Sequence, residues 1–467
     1  MKPLKSLAIA VSLLSLSACQ LLETPAPALP ENLIPQTWTQ AQGNDSSNWP
    51  ASDWWNEFEA AELSELIATI SQQNFDLSNS RRNLESAQIS LKEAGFELLP
   101  RATVSIGTAA SYIETRSDDS RSSDSPNTPF ELNGNLSYSN ILTKPAVYSQ
   151  AIADYDTRVA QDAALKLNTL ATSASTYFQL LLTRDKIEAA QQNVENARAI
   201  SEIANARVEA GVAVPIEALQ QQIALQREQA SLSALQQNDL SARAALALLS
   251  GTNVQGFNIE GQTLETITVP SVSPGLSSEL LLRRPDLVQA EAQLRSAAAN
   301  VDIARLSYFP TISLTGNASA SSTSLSELLS SPDTFLNINA SLLQTLLDTG
   351  QRSRALDQRK LALGNALDSY QKATLAAFNE IEVLLSSLRL QQEQLAVAQR
   401  NLEAAEESFR IAQVRYEEGV SDFQTVLTSQ NTLFASRNSY LDNKLAQLNI
   451  IVNLYQALGG GWVAETP

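Results

Sequence analysis

Histidine is absent from this chain of 467 residues, and cysteine occurs once. These absences exclude His-based metal sites, His general-base catalysis, a Ser-His-Asp triad and any intrachain disulfide. The 16 glycines and 17 prolines make up about 7% of the chain, against the ~12% usual in globular proteins. Long stretches therefore carry nothing to interrupt a helix. Basic residues are short as well: 32 Lys and Arg face 50 Asp and Glu, a net charge of -18. That balance opposes binding to nucleic acid or to an anionic surface through a polybasic patch. Beyond the N-terminus no segment offers 18 consecutive apolar residues, so no transmembrane helix is encoded. With 43% hydrophobic positions the chain still has enough apolar material for one large domain or two to three ordinary ones. No cofactor and no catalytic site are expected. Adjacent carboxylates such as Asp118-Asp119 sit in a Ser-rich stretch with no apolar wall to shift a pKa.

The N-terminus has Lys2 and Lys5, then an apolar run from Leu7 to Leu16, then small residues and Cys19. This reads as a secretory signal, and the run is too short to span a bilayer. Leu16-Ser17-Ala18-Cys19 resembles the lipobox of bacterial lipoproteins, in which the cysteine is lipidated and becomes the first residue. Processing there would remove Lys2 and Lys5 and no acids. Gln20 follows the cysteine, and by the same resemblance a residue other than Asp at that place implies delivery to the outer membrane. If the mature chain crosses a membrane, it must do so with strands.

Self-comparison exposes a duplication. At an offset of 210, Leu84, Ser86, Ala87, Ala94 and Pro100 fall on Leu294, Ser296, Ala297, Ala304 and Pro310. At an offset of 208, Arg207-Val208-Glu209-Ala210-Gly211-Val212 falls on Arg415-Tyr416-Glu417-Glu418-Gly419-Val420. Each half has the same order: helix, proline, two strands, long helix, glycine turn, returning helix. In the second long helix Ile381, Leu388, Leu395, Leu402, Phe409 and Tyr416 recur every seven residues, with Leu384, Gln391, Ala398, Ala405 and Ala412 beside them. The first repeats this at Leu180, Ile187, Val194, Ser201 and Val208. Large residues on one seam position and mostly alanine on the other suit close antiparallel coiled-coil packing. From Ser353 to Glu418 no proline appears and only Gly364 weakens the helix, so an unbroken rod would be roughly 100 Å long. Gly211 and Gly419 are natural helix ends with tight turns.

Four segments alternate with period two. Val104, Ile106, Thr108, Ala110 and Tyr112 form one apolar set, and Phe130, Leu132, Gly134, Leu136 and Tyr138 a second. In the other half the sets are Ile312, Leu314, Gly316 and Ala318, then Leu336, Ile338, Ala340 and Leu342. Small polar residues fill the alternate positions, the pattern of a lipid-facing barrel with a wet interior. Residues 114–129 and 321–334, rich in Ser, read as long polar loops at the extracellular end. Four strands leave two open edges, and unpaired backbone groups in hydrocarbon cost several kcal/mol each. Two copies would give eight strands with a filled interior; three give twelve and room for a lumen.

The whole chain resembles the outer membrane efflux proteins, the TolC-like outer membrane factors, and among them the lipoprotein branch. Its most specific stretch is Leu281 to Gly316, where Arg284-Pro285-Asp286, Ala290-Glu291, Ala304-Arg305 and Phe309-Pro310 stand as in that family. Trp54-Trp55-Asn56-Glu57-Phe58, Leu347-Asp348-Thr349-Gly350 and Arg415-Tyr416-x-x-Gly419 match as well. The resemblance implies a mainly α fold with a transmembrane β-barrel. A homotrimer would form a twelve-stranded barrel in the outer membrane, continued by a twelve-helix periplasmic α-barrel. It implies an exit duct that exports small molecules, drugs or metal ions, with a periplasmic adaptor and an inner-membrane transporter of the RND type as partners.

On this reading residues 1–18 are the signal and 19–60 the lipidated N-terminal segment. The first repeat is 61–250, with strands 102–112 and 130–139 and a helical hairpin 146–250 turning near 211. Residues 251–280 link the halves. The second repeat is 281–458, with strands 311–320 and 335–343 and a hairpin 353–458 turning near 419; 459–467 form a tail. Ile141-Leu142-Thr143-Lys144-Pro145 replaces the first half's Asp-x-Gly motif, so that strand-to-helix turn is remodelled. The resemblance places adaptor binding and the periplasmic tip at Arg207, Glu209, Gly211, Val212, Arg415, Tyr416, Glu417, Gly419 and Val420. Thr428 stands where many members carry the aspartate of a constricting ring, leaving Asp422, Glu417 or Glu418 to supply charge. Two other readings use parts of the same pattern: a type I protein-secretion duct, and a non-conducting coiled-coil lipoprotein that tethers envelope layers.

Overall fold

The computed structural model describes residues 24–25, 27–30, 33–35, 38, 49–108, 130–259, 262–272, 280–322, 324–330, 332–418, 420–421 and 423–462. Cys19, Asp118-Asp119, residues 109–112 of the first expected strand, Gly419 and Asp422 lie outside them. The chain forms two compact units. One gathers 84–158 and 289–370 with the start of the chain; the other gathers 29–83, 159–288 and 371–467.

The first repeat runs through α1 (Ala61–Gln73), α2 (Phe75–Phe96), β1 (Arg101–Thr108), β2 (Phe130–Tyr138), α3 (Lys144–Glu209) and α4 (Pro215–Leu249). The second runs through α5 (Leu280–Arg283), α6 (Pro285–Leu306), β3 (Thr311–Ser322), α7 (Leu325–Ser330), β4 (Asp333–Leu343), α8 (Gln351–Glu417) and α9 (Phe423–Ala457). The long helices hold 66 and 67 residues and their returning partners 35 each. Continuity follows from composition, since α8 contains no proline and its one glycine, Gly364, stands in open space. Among the described residues no helix is long and apolar enough to cross a membrane.

The sheet lies in the first unit, ordered β1-β2-β3-β4 with every pair antiparallel. The segment between β3 and β4, expected as a loop over 321–334, is partly ordered structure. β3 extends to Ser322, β4 begins at Asp333, and α7 fills the gap. Ser324 caps the start of α7 with its side chain: Glu327 N–H donates to Ser324 Oγ (3.3 Å), and Ser324 Oγ donates to Glu327 Oε2 (3.1 Å). Leu328 is then buried.

In the second unit Trp54 and Phe58, held in one 3-10 turn, pack with Tyr177, Phe178 and Tyr455 and with the apolar stripe Leu63, Ile67 and Ile70 of α1. Trp54 stacks on Tyr455 with ring centroids 5.1 Å apart, and the Tyr455 hydroxyl donates to Glu57. Burial, with the Glu57 carboxylate beside it, raises the Tyr455 phenol pKa. Residues 251–280, the expected linker and equatorial region between the repeats, hold 3-10 turns at Val254–Gly256 and Leu264–Thr266, and Leu264 is fully buried.

Candidate conduit wall and helix tips

Register sorts the sheet into two chemistries. On one face the cross-strand rows read Ala102–Leu136–Gly316–Ile338, Val104–Gly134–Ala318–Leu336 and Ile106–Leu132–Ala320–Thr334. On the other they read Arg101–Ser137–Thr315–Asn339, Thr103–Asn135–Asn317–Asn337 and Ser105–Asn133–Ser319–Phe335. Among the described residues nothing covers much of the apolar face: Val104 is 78% exposed, Leu336 72% and Ile338 70%. Exposed aliphatic rows opposite amide and hydroxyl rows suit a wall with lipid on one side and water on the other. Glu131 and Asp333 fall in one polar row at the loop end of the sheet, Gly107–Glu131–Ser321–Asp333. β1 and β4 are the sheet's edges, each with one side unpaired among the described residues.

The two strand-to-helix turns differ in sequence and agree in function. In the second repeat Asp348 accepts from Gly350 N–H (3.0 Å), Arg352 N–H (3.2 Å) and Arg352 Nε (2.8 Å). Arg352's hydrogen bonds hold the Asp348 carboxyl below the usual carboxylate range. Arg352 also donates to the Ser307 carbonyl (3.2 Å) and lies over the Tyr308 ring. In the first repeat Lys144 occupies the position equivalent to Arg352, donates to the Glu97 carbonyl and lies over the Tyr138 ring at 5.0 Å. Glu97 and Ser307 are themselves equivalent, so each turn ties its long helix to the end of the helix before its hairpin through one cation. The remodelled stretch 141–145 gives up the aspartate cap and keeps this tie.

At the hairpin tips one main-chain bond recurs. Gly211 has φ +73°, and Val212 N–H donates to the Arg207 carbonyl (3.0 Å) while Gly211 N–H donates to that of Val208 (3.0 Å). This is a Schellman ending, in which glycine avoids the strain of a left-handed residue. In the second tip Val420 N–H (2.8 Å) and Ser421 N–H (3.2 Å) donate to the Arg415 carbonyl. The equivalent arginines thus close equivalent turns through main-chain oxygen. Their guanidinium groups are exposed, with no ion pair among the described residues, and Glu209 is exposed beside Arg207. Val212 (67%) and Val420 (63%) are exposed, as is Tyr416, and Glu417 ends α8. Thr428 is exposed on α9, its hydroxyl donating to its own helix at Gln424 (2.9 Å). It lines a groove of about 510 Å³ with Ala398, Asn401, Asn431, Thr432 and Ser436, and none of the groove's lining residues is charged. Among the described residues no group of His, Cys, Asp or Glu is placed to hold a metal ion.

The profile of the outer membrane efflux protein family matches residues 66–252 and 276–460. The pyoverdine export outer membrane protein OpmQ of Pseudomonas aeruginosa is 31% identical over 469 aligned residues, covering 99% of this chain and 98% of its own. The cation efflux system protein CusC of Escherichia coli is 24% identical across 99% of this chain and 100% of its own. Among solved structures, the CmeC outer membrane channel of Campylobacter jejuni superposes with a TM-score of 0.84 at 21% identity, covering 95% of both chains. With both matched segments falling on the two halves of the duplication, this chain belongs to the outer membrane efflux protein family.

Proposed function

We propose that three copies of this chain form the exit duct of a tripartite efflux pump in the outer membrane of a Gram-negative bacterium. Each copy contributes four strands to a twelve-stranded barrel and four helices to a periplasmic helical barrel, with a lipid anchor at Cys19. A periplasmic adaptor and an inner-membrane transporter of the RND type complete the machine. The observation that carries the reading is the sheet: one face aliphatic and exposed, the other amide and hydroxyl, with both edges open. In hydrocarbon those edges must be paired, and copies of the same chain supply the complementary margin. OpmQ is named for pyoverdine and CusC for cations, so the cargo here is a small molecule or ion.

The tips close the duct, with Arg207, Glu209, Gly211 and Val212 beside Arg415, Tyr416, Glu417, Gly419 and Val420 as the adaptor surface, and Asp422 and Thr428 at the constriction. The exposed guanidinium of Arg415 supports this placement. Purified protein in planar bilayers tests both parts. The wild type should migrate as a heat-sensitive trimer and show low conductance, and Arg415→Glu should raise conductance or weaken adaptor crosslinking. A water-soluble monomer would overturn the duct. A variant unchanged in both assays would remove Arg415 from the tip mechanism.

A further inference from the structure

Thr24, five residues after Cys19, is clasped by the end of α6. Its backbone N–H donates to both carboxylate oxygens of Asp302 (3.1 and 3.0 Å), and its hydroxyl donates to the same carboxylate. Arg305 Nη1 donates to the Thr24 hydroxyl (2.6 Å) and pairs with Asp302 at 3.6 Å. Asp302 is only 8% exposed, so its charge is withdrawn from water and depends on these donors. The duplication shows that the site is specific to this contact. At the positions of α2 equivalent to Asp302 and Arg305 stand Lys92 and Gly95, which reverse the charge and remove the guanidinium. Of the two equivalent helix ends, only that of α6 carries the clasp.

We propose that Asp302 and Arg305 are the receptor for the chain's own N-terminal arm, and that holding Thr24 fixes where the acyl chains on Cys19 enter the bilayer. The proposal rests on the lipoprotein reading of Cys19. Five extended residues reach at most about 18 Å, so a clasped Thr24 keeps the acylated end near Asp302. β3 begins at Thr311, nine residues after Asp302, so that end lies at the foot of the strands. The anchor is thereby registered to the barrel's depth. A released arm would leave the acyl chains free to insert over a much wider area.

Cells fed a fatty acid carrying a photoactivatable diazirine supply the test. After illumination, the wild-type trimer should show crosslinks from the Cys19 acyl chains to its own residues around 306–312 and 343–347. Thr24→Pro removes both donors from the arm and leaves the sheet untouched. It should keep label and trimer, lose most of those crosslinks, and speed protease cleavage of residues 20–35 severalfold. Asp302→Ala should do the same, and Thr24→Pro decides the matter if that variant fails to fold. Label present, with crosslinks and cleavage indifferent to Thr24→Pro, would overturn the clasp. Absence of label from the wild type would instead strike the lipoprotein reading, and with it the anchoring role.

Discussion

The two repeats seat their returning helices at equivalent joints built from different residues. In the first, Asn74 does two tasks with one side chain: its amide donates to the Leu249 carbonyl (2.8 Å), and its oxygen accepts from Leu77 N–H (3.0 Å). In the second the tasks are divided. Arg284, equivalent to Asn74, donates to the Ala457 carbonyl (3.0 Å), which is equivalent to Leu249. Asp286 accepts from Leu287 N–H (3.0 Å), which is equivalent to Leu77. Arg284 then grips Asp286 through two bonds of 3.0 and 2.8 Å and reaches Glu380 at 2.8 Å. After duplication the backbone demand stayed fixed, a donor for one orphan carbonyl and an acceptor for one helix-start N–H, while the chemistry meeting it diverged. Arg284-Pro285-Asp286 is thus a structural joint in this chain.

The largest effect should come from breaking what both joints share. Gly251 (φ +68°) and Gly459 (φ +86°) are equivalent, and each presses on an equivalent carbonyl. A Cβ on Gly251 would lie 2.6 Å from the Gln73 oxygen, and one on Gly459 would lie closer still to that of Arg283. Gly459→Ala adds this collision to left-handed strain and should cost at least about 3 kcal/mol. Gly251→Ala should cost somewhat less. Thermal midpoints of the detergent-solubilised variants would rank the two, and values equal to the wild type would show that the close approach is not constraining.

The difference between the joints can be sharpened by moving one into the other. Arg284→Ala leaves the Ala457 carbonyl without its donor and Asp286 and Glu380 without their partner, and should cost ~2–3 kcal/mol. Arg284→Asn reproduces the first repeat's donor, with an amide able to reach the Ala457 carbonyl as Asn74 reaches that of Leu249, and should recover about 1 kcal/mol of that loss. Thermal midpoints of the two variants compared directly would decide it. If Asn were no better than Ala, the joints would not be interchangeable.

Most of the fold was legible because it rests on periodicity. The heptads from Ile381 to Tyr416 fix the helices, and the alternation around Val104 and Ile338 fixes the sheet faces, through local spacing alone. The helix α7 departs from the loop that the Ser-rich composition predicts, although a helix-start signal, Ser324-x-x-Glu327, stands in the sequence. The clasp at Asp302 carried no local signal, because its ligand, Thr24, lies 278 residues away in sequence. At the tips the spacing placed turns at Gly211 and Gly419; Gly211 ends its helix as expected, and Gly419 lies outside the described residues. The spacing could not reveal that Arg207 and Arg415 close the turns through carbonyl oxygen. The tie made by Lys144 was readable only by setting the halves together at an offset of 208, where Lys144 falls on Arg352.

A smaller contrast lies along the long helices. Asp185 on α3 is partly buried, and burial pushes its carboxyl up to about 6 despite the stabilising Leu264 N–H (2.9 Å); Glu265 and Glu188 push it the same way and Arg437 opposes them. Its equivalent on α8 is Glu393, mostly exposed and paired with Arg389 at 2.8 Å. The native state thus holds the Asp185 proton more tightly than the unfolded chain, whose carboxyl titrates near ~3.9. The stability this adds is fully present below about pH 4 and is lost as the pH rises through about 6. Asp185→Asn keeps an oxygen to accept from Leu264 and removes the titration, so its stability should decline less than that of the wild type between pH 4 and 6. Glu393→Gln removes one solvated pair and should shift stability by no more than ~0.5 kcal/mol. Parallel wild-type and Asp185→Asn curves across that window would mean that the carboxyl is solvated in the assembled protein, and that the two long helices do not differ here.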